Sequence, residues 1–151
     1  MDEKDRQIIA ALQADGRLTN QELSEQVNLS PSPCLRRVRI LEEAGVIKGY
    51  TAVVDETAYG LPIIAFVQIR LEKHSGDRVN VFEGQIAAIP EVLDCYMMTG
   101  GMDYLLRVLV KSLSDYEHFV RSRLHPIVGI TSIDSSFAYG VIKRSNIYPK
   151  V

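Results

Sequence analysis

The chain has 151 residues, room for one ordinary domain or two small ones, and 46% of them are hydrophobic, the proportion of a folded globular protein. Seventeen Lys and Arg stand against nineteen Asp and Glu, a formal net charge of −2, so no overall positive field draws the chain to nucleic acid. Two cysteines, Cys34 and Cys95, no apolar run near the ~18 residues that span a bilayer, and a charged opening, Met-Asp-Glu-Lys-Asp-Arg, predict no disulfide framework, zinc site, membrane span or signal peptide, and suit a reducing cytoplasm.

Residues 3 to 15 place Ile8, Ile9 and Leu12 on one helical face, and Gly16 stops that helix. Thr19 and Glu22 fit a capping box that opens a second helix, with Leu23 and Val27 facing inward. Val27-Asn28-Leu29-Ser30 is then a tight turn with Asn28 as its left-handed residue, since Asn tolerates that conformation best after Gly. Residues 30 to 45 read as one complete helix. Ser30 is expected to cap it, Pro31 fits its first position and Gly45 the left-handed residue past its end. Leu35, Val38 and Leu41 form its apolar stripe. At about 100° per residue, Ser32, Arg36, Ile40 and Glu43 fall on the opposite side, flanked by Arg37 and Arg39. Cys34 is either a small buried side chain or a redox-sensitive thiol.

A small helix, buried on one side and arginine-bearing on the other, fits a DNA major groove, and the order helix, short helix, turn, arginine helix makes a helix-turn-helix. The alternative is a three-helix bundle for protein contacts, with the arginines as solvated charge. Residues 1 to 60 carry seven Lys/Arg and ten Asp/Glu, a net of −3. Positive charge is local, at Arg36, Arg37, Arg39 and Lys48 against Glu42 and Glu43. Such a module makes few phosphate contacts per subunit and gains from being multiplied by oligomerisation.

Residues 46 to 54 have the β-branched and aromatic character of a strand. Asp55 to Leu61 reads as a connector holding Gly60, and the boundary before Pro62 divides the chain into domains 1–61 and 62–151. Beyond it, strands are expected at Ile63 to Leu71, Val92 to Thr99, Tyr104 to Val110 and Ile130 to Val141. Helices are expected at Asp77 to Ile89, with Val81, Ile86 and Ile89 inward and Pro90 as its stop, and at Ser114 to Leu124, opened by Ser112 or Ser114 and ended by His125-Pro126. The order β-α-β-β-α-β predicts an α+β chain whose second half is a ferredoxin-like sandwich. Its antiparallel sheet leaves one face for another layer, typically a second subunit.

Thr99-Gly100-Gly101-Met102-Asp103 is either a plain hairpin turn or a clamp for an amino acid, with backbone N–H groups for the carboxylate and Asp103 for the ammonium. Ser132, Ser135 and Ser136 are either further ligand hydroxyls or ordinary loop composition. His74, His118 and His125 are scattered, and no metal-ligand spacing, nucleophile elbow or phosphate loop occurs. No enzyme, metal or cofactor is expected.

Four stretches together resemble the Lrp/AsnC, or feast/famine, family of transcriptional regulators: Asp15-Gly16-Arg17 with Thr19-Asn20-Gln21-Glu22-Leu23; Leu29-Ser30-Pro31-Ser32-Pro33-Cys34-Leu35-Arg36-Arg37-Val38; Gly49-Tyr50-Thr51-Ala52; and Thr99-Gly100-Gly101-Met102-Asp103-Tyr104-Leu105-Leu106. The resemblance covers essentially the whole chain. It implies an N-terminal winged helix-turn-helix, a C-terminal ferredoxin-like domain that binds amino acids, and homodimers joined through their sheets and assembled into octamers. By position it implies double-stranded DNA contacts from Ser30, Ser32, Pro33, Arg36, Arg37, Arg39 and Ile40. It also implies an effector pocket of Met98, Thr99, Gly100, Gly101, Asp103, Ser135, Ser136 and Phe137, at a subunit interface. Asn28 stands where the family usually has Gly, and Ile40 where a basic residue often stands; an apolar side chain there either meets a thymine methyl or shifts operator preference. The N-terminal arm before the first helix is very short. Pro62 and Met97-Met98 suggest an apolar pocket wall, favouring leucine or methionine as effector. The function expected is a sequence-specific, amino-acid-modulated regulator; the alternative is a nucleoid-type protein that wraps DNA with little sequence preference.

Overall fold

Asp2 starts the first helix by a reciprocal cap. Its Oδ1 accepts from the Asp5 N–H at 2.9 Å, and Asp5 Oδ2 accepts from the Asp2 N–H at 2.8 Å. This computed structural model describes residues 1–72 and 76–149, and the chain forms two compact units. One is Met1–Val53 together with the stretch from Ile142; the other is Val54–Val141.

In the first unit, α1 (Glu3–Ala14), α2 (Asn20–Gln26) and α3 (Pro31–Glu43) close on Ile8, Leu23, Val27, Cys34 and Leu41. Ile9, Leu12 and Val38 pack against that core. The Thr19–Glu22 box forms as the spacing predicts. Asn28 takes the left-handed conformation, φ 52°, and Gly45 does likewise at φ 67°.

Three expectations for this unit are corrected. Ser30 occupies the cap position of α3 but its side chain makes no capping hydrogen bond; the Cys34 N–H reaches the Ser30 carbonyl and Pro31 supplies the helical φ. Leu35 is exposed and Cys34 is buried in its place. Positions 34, 38 and 41 follow the i, i+4, i+7 line of a helix, and Leu35 lies about 100° off it. Residues 46 to 54 form no strand. The Val46 and Ile47 N–H groups turn back to the Leu41 carbonyl, Ile47 packs on the core, and the rest finds no ladder partner within the unit.

In the second unit the expected connector contains a helical turn, α4 (Glu56–Tyr59), capped by the Asp55 carboxylate and closed by Gly60 at φ 97°. The strands are β1 (Ile63–Leu71), β2 (Val92–Met97), β3 (Tyr104–Val110) and β4 (Ile130–Phe137), all antiparallel in the order β2-β3-β1-β4. This is the ferredoxin-like order. Helices α5 (Gly76–Ala87) and α6 (Leu113–Phe119) contribute to the same core as the sheet's inner face, burying Val67, Ile69, Leu106 and Val108 with Phe82, Ile86 and Phe119.

Val81, expected inside, is exposed, and its neighbour Phe82 is buried with its ring 4.6 Å from that of Tyr104. The second expected helix changes pitch: α6 passes into a π-helical turn, Val120–Leu124, closed by the His125 N–H on the Val120 carbonyl. β4 ends at Phe137 rather than Val141, because its partner β1 begins at Ile63 and only the Ala138 N–H finds a further acceptor, the Ile64 carbonyl. β2 likewise stops at Met97, before Met98 and Thr99.

Alternation along the strands sends Phe66, Gln68 and Arg70 of β1, Leu105 and Arg107 of β3, and Ser136 of β4 to the face opposite this core. On that face Arg107 pairs with Asp94 of β2. Among the described residues no helix is long and apolar enough to cross a membrane.

Candidate nucleic-acid interface and effector turn

Ser32, Pro33, Arg36, Arg39 and Ile40 are all exposed on α3, opposite the Cys34–Leu41 side that the core takes. Ser30 is exposed at the helix entrance. Ile40 is 51% exposed, an apolar side chain standing among cations. Arg36 and Arg39 make no ion pair among the described residues, so both guanidinium groups remain available to an incoming anion.

Arg37 is placed differently. Its Nη1 lies 2.8 Å from Asp2 Oδ2 and 2.7 Å from Asp5 Oδ1, so it bridges α3 to the cap of α1. The Asp5 and Asp2 carboxylates push the guanidinium's pKa upward. The Asp5 backbone N–H, and then Arg37, hold the Asp2 carboxyl below its ordinary value. The α3 entrance is also tied by Asn20, whose Nδ2 donates to the Pro31 carbonyl at 2.9 Å. Beyond the helix the Tyr50 hydroxyl donates to Glu42 at 2.9 Å, engaging one of the acids beside the arginines. Asn20 was not among the expected site residues; its place just after the capping Thr19 was the available signal.

In the second unit the Thr99–Asp103 turn joins β2 to β3. Gly100 sits at φ 110°, a conformation that favours glycine. Asp103 is built into the sheet: its N–H donates to the Ile69 carbonyl at 2.9 Å and its Oδ2 accepts from the Leu71 N–H at 2.7 Å. The Met98 N–H closes the turn on the Asp103 carbonyl at 2.8 Å. Arg70, which motif spacing did not single out, donates through Nε to the Gly101 carbonyl at 3.0 Å, and its Nη2 reaches the same oxygen. Only the strand pairing puts this cation beside the turn.

Ser135, Ser136 and Phe137 are split by the pleat. Ser135 bonds the Tyr116 hydroxyl of α6, and Phe137 packs edge-on against the Tyr116 ring at 4.9 Å, both on the helix side. Ser136 points the other way, paired with Phe66. Ser135 pairs with Val67 on one edge of β1, while Asp103 bonds Ile69 and Leu71 from the β3 side, so β1 lies between the Asp103 turn and Ser135, Ser136 and Phe137.

A groove of about 460 Å³ opens between α5 and β2, lined by Glu83, Ile86, Val92, Cys95, Met97 and Tyr104 among others, and takes in none of residues 98–103. The Tyr104 hydroxyl donates to Glu83 at 2.7 Å, and burial, followed by that carboxylate, pushes its pKa up to about 12. Burial also raises the thiols of Cys34 and Cys95, which disfavours the reactive thiolate at both. Among the described residues no three His, Cys, Asp or Glu side chains gather as a metal site, and His74 lies outside the described residues.

Residues 1–48 match the winged helix-turn-helix DNA-binding family and residues 64–148 the Lrp/AsnC ligand-binding domain. The Bkd operon transcriptional regulator of Pseudomonas aeruginosa is 44% identical over 91% of this chain and 90% of its own length. The leucine-responsive regulatory protein of Salmonella typhimurium is 36% identical over 97% of this chain and 89% of its own. A transcriptional regulator of Neisseria meningitidis, solved as its L-Met complex, superposes with a TM-score of 0.94 at 39% identity, over 99% of this chain and 96% of that one. With both halves matched in order and the fold reproduced, the chain belongs to the Lrp/AsnC family of transcriptional regulators.

Proposed function

We propose that the protein is a sequence-specific DNA-binding transcriptional regulator whose DNA binding or assembly responds to a small apolar amino acid, methionine or leucine. The observation that carries the DNA half is the division of α3: Cys34 and Leu41 are buried, while Ser32, Arg36, Arg39 and Ile40 stand exposed together. In this reading Arg36 and Arg39 meet base edges or phosphates, Ile40 meets thymine methyls, and Ser30, Ser32 and Pro33 approach the backbone near the helix N-terminus. Arg37 belongs to the same set by position, but it acts from behind, holding α3 on the Asp2–Asp5 cap.

The effector half rests on the turn from Met98 to Asp103. Left-handed Gly100 opens its backbone, Asp103 keeps a second carboxylate oxygen for an ammonium group, and Arg70 stands beside it. Because Ser135, Ser136 and Phe137 lie apart from this turn within one chain, they join it from a neighbouring subunit, which requires an oligomer. The sheet face bearing Phe66 and Leu105 suits a dimer, and octamers of four dimers would carry eight DNA heads. The boundary before Pro62 would then separate a DNA-serving half, 1–61, from a half, 62–151, whose sheet unit serves assembly and effector binding and whose last stretch, from Ile142, returns to the DNA-binding unit, in the cytoplasm. The L-Met complex of the Neisseria relative and the leucine response of the Salmonella relative favour the two amino acids named.

A thermal-shift series with L-methionine, L-leucine and L-aspartate tests this. A ligand at 100 times its Kd stabilises the folded protein by about 2.7 kcal/mol. A rise in Tm with methionine or leucine and not with aspartate is expected; no rise with either would overturn the effector assignment.

A further inference from the structure

The DNA-binding unit has a charge problem that its own helices do not solve. Residues 1 to 53 carry seven Lys/Arg and eight Asp/Glu, a net of −1, and Arg37 is already committed to two of those acids. The chain's last stretch differs in kind. From Ile142 onward it holds Lys143, Arg144 and Lys150 and no acid at all. It is not part of the sheet unit it emerges from, and groups instead with Met1–Val53. The Tyr148 N–H donates to Gln13 Oε1 of α1 at 3.2 Å, and the Ser145 hydroxyl accepts from the Ile147 N–H at 3.3 Å to form a small turn. Residues 141 to 149 are exposed throughout, Lys143 among them. With this stretch included, the unit's formal charge changes from −1 to +2.

We propose that this C-terminal tail is a second DNA-contacting element, a basic arm anchored on α1 that takes phosphates flanking the half-site read by α3. The inference rests on the DNA-binding reading above. A charged arm without a fixed helix or strand recognises phosphate, which carries no sequence, so its contribution is to affinity and not to discrimination. The Tyr148 N–H bond to Gln13 Oε1 ties the arm to α1, and the lysine before it meets the DNA backbone.

The test compares the full chain with Lys143→Ser/Lys150→Ser and with Lys143→Arg/Lys150→Arg, on a selected duplex and its scrambled counterpart, over a range of salt. Each phosphate left unneutralised reduces the steepness of log K against log salt by ~0.9, so removing both lysines from one or both heads of a dimer is expected to reduce it by ~2 to ~4. The reduction should be equal on the two duplexes, and the arginine variant should keep the parent slope. A slope unchanged in the serine variant, with the parent binding DNA, overturns the arm and leaves the helix-turn-helix reading intact. A reduction confined to the selected duplex also overturns it, since phosphate recognition does not discriminate. If the parent does not bind the selected duplex better than the scrambled one, the DNA-reading assignment of α3 fails first.

Discussion

Neighbouring arginines of α3 should fail in different ways. Arg36 stands exposed with no ion pair among the described residues, whereas Arg37 bridges Asp2 and Asp5 at 2.8 and 2.7 Å. A bidentate arginine contact to a base is worth about 1–3 kcal/mol of discrimination, and a two-headed dimer forfeits it twice, ~2–6 kcal/mol or about 30-fold to 10⁴-fold. Arg36→Gln should remove that much of the preference for a selected duplex over a scrambled one, measured by fluorescence anisotropy. Arg37→Gln should leave the preference largely in place and instead lower the Tm, because it unties α3 from the cap of α1. If Arg37→Gln erases discrimination at unchanged Tm, or Arg36→Gln lowers the Tm without touching discrimination, the division of labour drawn from the salt bridges is wrong.

Asp103 combines two tasks that a pair of variants separates. Asp103→Asn retains an oxygen for the Leu71 N–H but removes the charge, so calorimetry should record no amino-acid binding at a near-parent Tm; Asp103→Ala should lose both. Retained binding in the Asn variant would reject Asp103 as the ammonium partner. Asn28, at φ 52°, should accept Gly, while Asn28→Val should cost at least ~1–2 kcal/mol in chemical denaturation. Glu22 is held below its ordinary pKa of 4.5 first by the Thr19 backbone N–H and then by the Thr19 hydroxyl. A depressed carboxylate contributes stability above its unfolded pKa and loses it as pH falls through the folded value, so Glu22→Gln should flatten the acid loss of stability below pH 4.5. An unchanged acid limb would mean that the cap contributes nothing through charge.

Local chemistry was legible wherever a few adjacent residues decide the outcome. The Thr19–Glu22 box, left-handed Asn28 and Gly45, and the apolar runs of β1 and β3 all emerge where spacing places them. Errors arose where a partner distant in sequence decides. Residues 46 to 54 have strand-forming side chains but no strand beside them, and Leu35 fits a stripe as well as Cys34 until the other helices fix which side is buried. Val81 and Phe82 differ by one position, and the packing of Tyr104 selects Phe82. Arg37 looked like its neighbours because the acids that hold it lie more than thirty positions away. Ser135, Ser136 and Phe137 looked like one cluster, although strand alternation alone already separates the middle residue from the other two.

Selection of binding sites from a random duplex pool, read by sequencing, tests most directly whether α3 reads DNA. A two-headed reader should enrich a motif of two symmetric half-sites whose centres lie one or more helical turns apart, ~34 Å per turn. Repeating the selection with L-methionine should change retention of that motif by about 5- to 150-fold, the range of a 1–3 kcal/mol coupling. A pool that enriches no motif, with or without the amino acid, would contradict the assignment of Ser32, Arg36, Arg39 and Ile40 as a DNA-reading face.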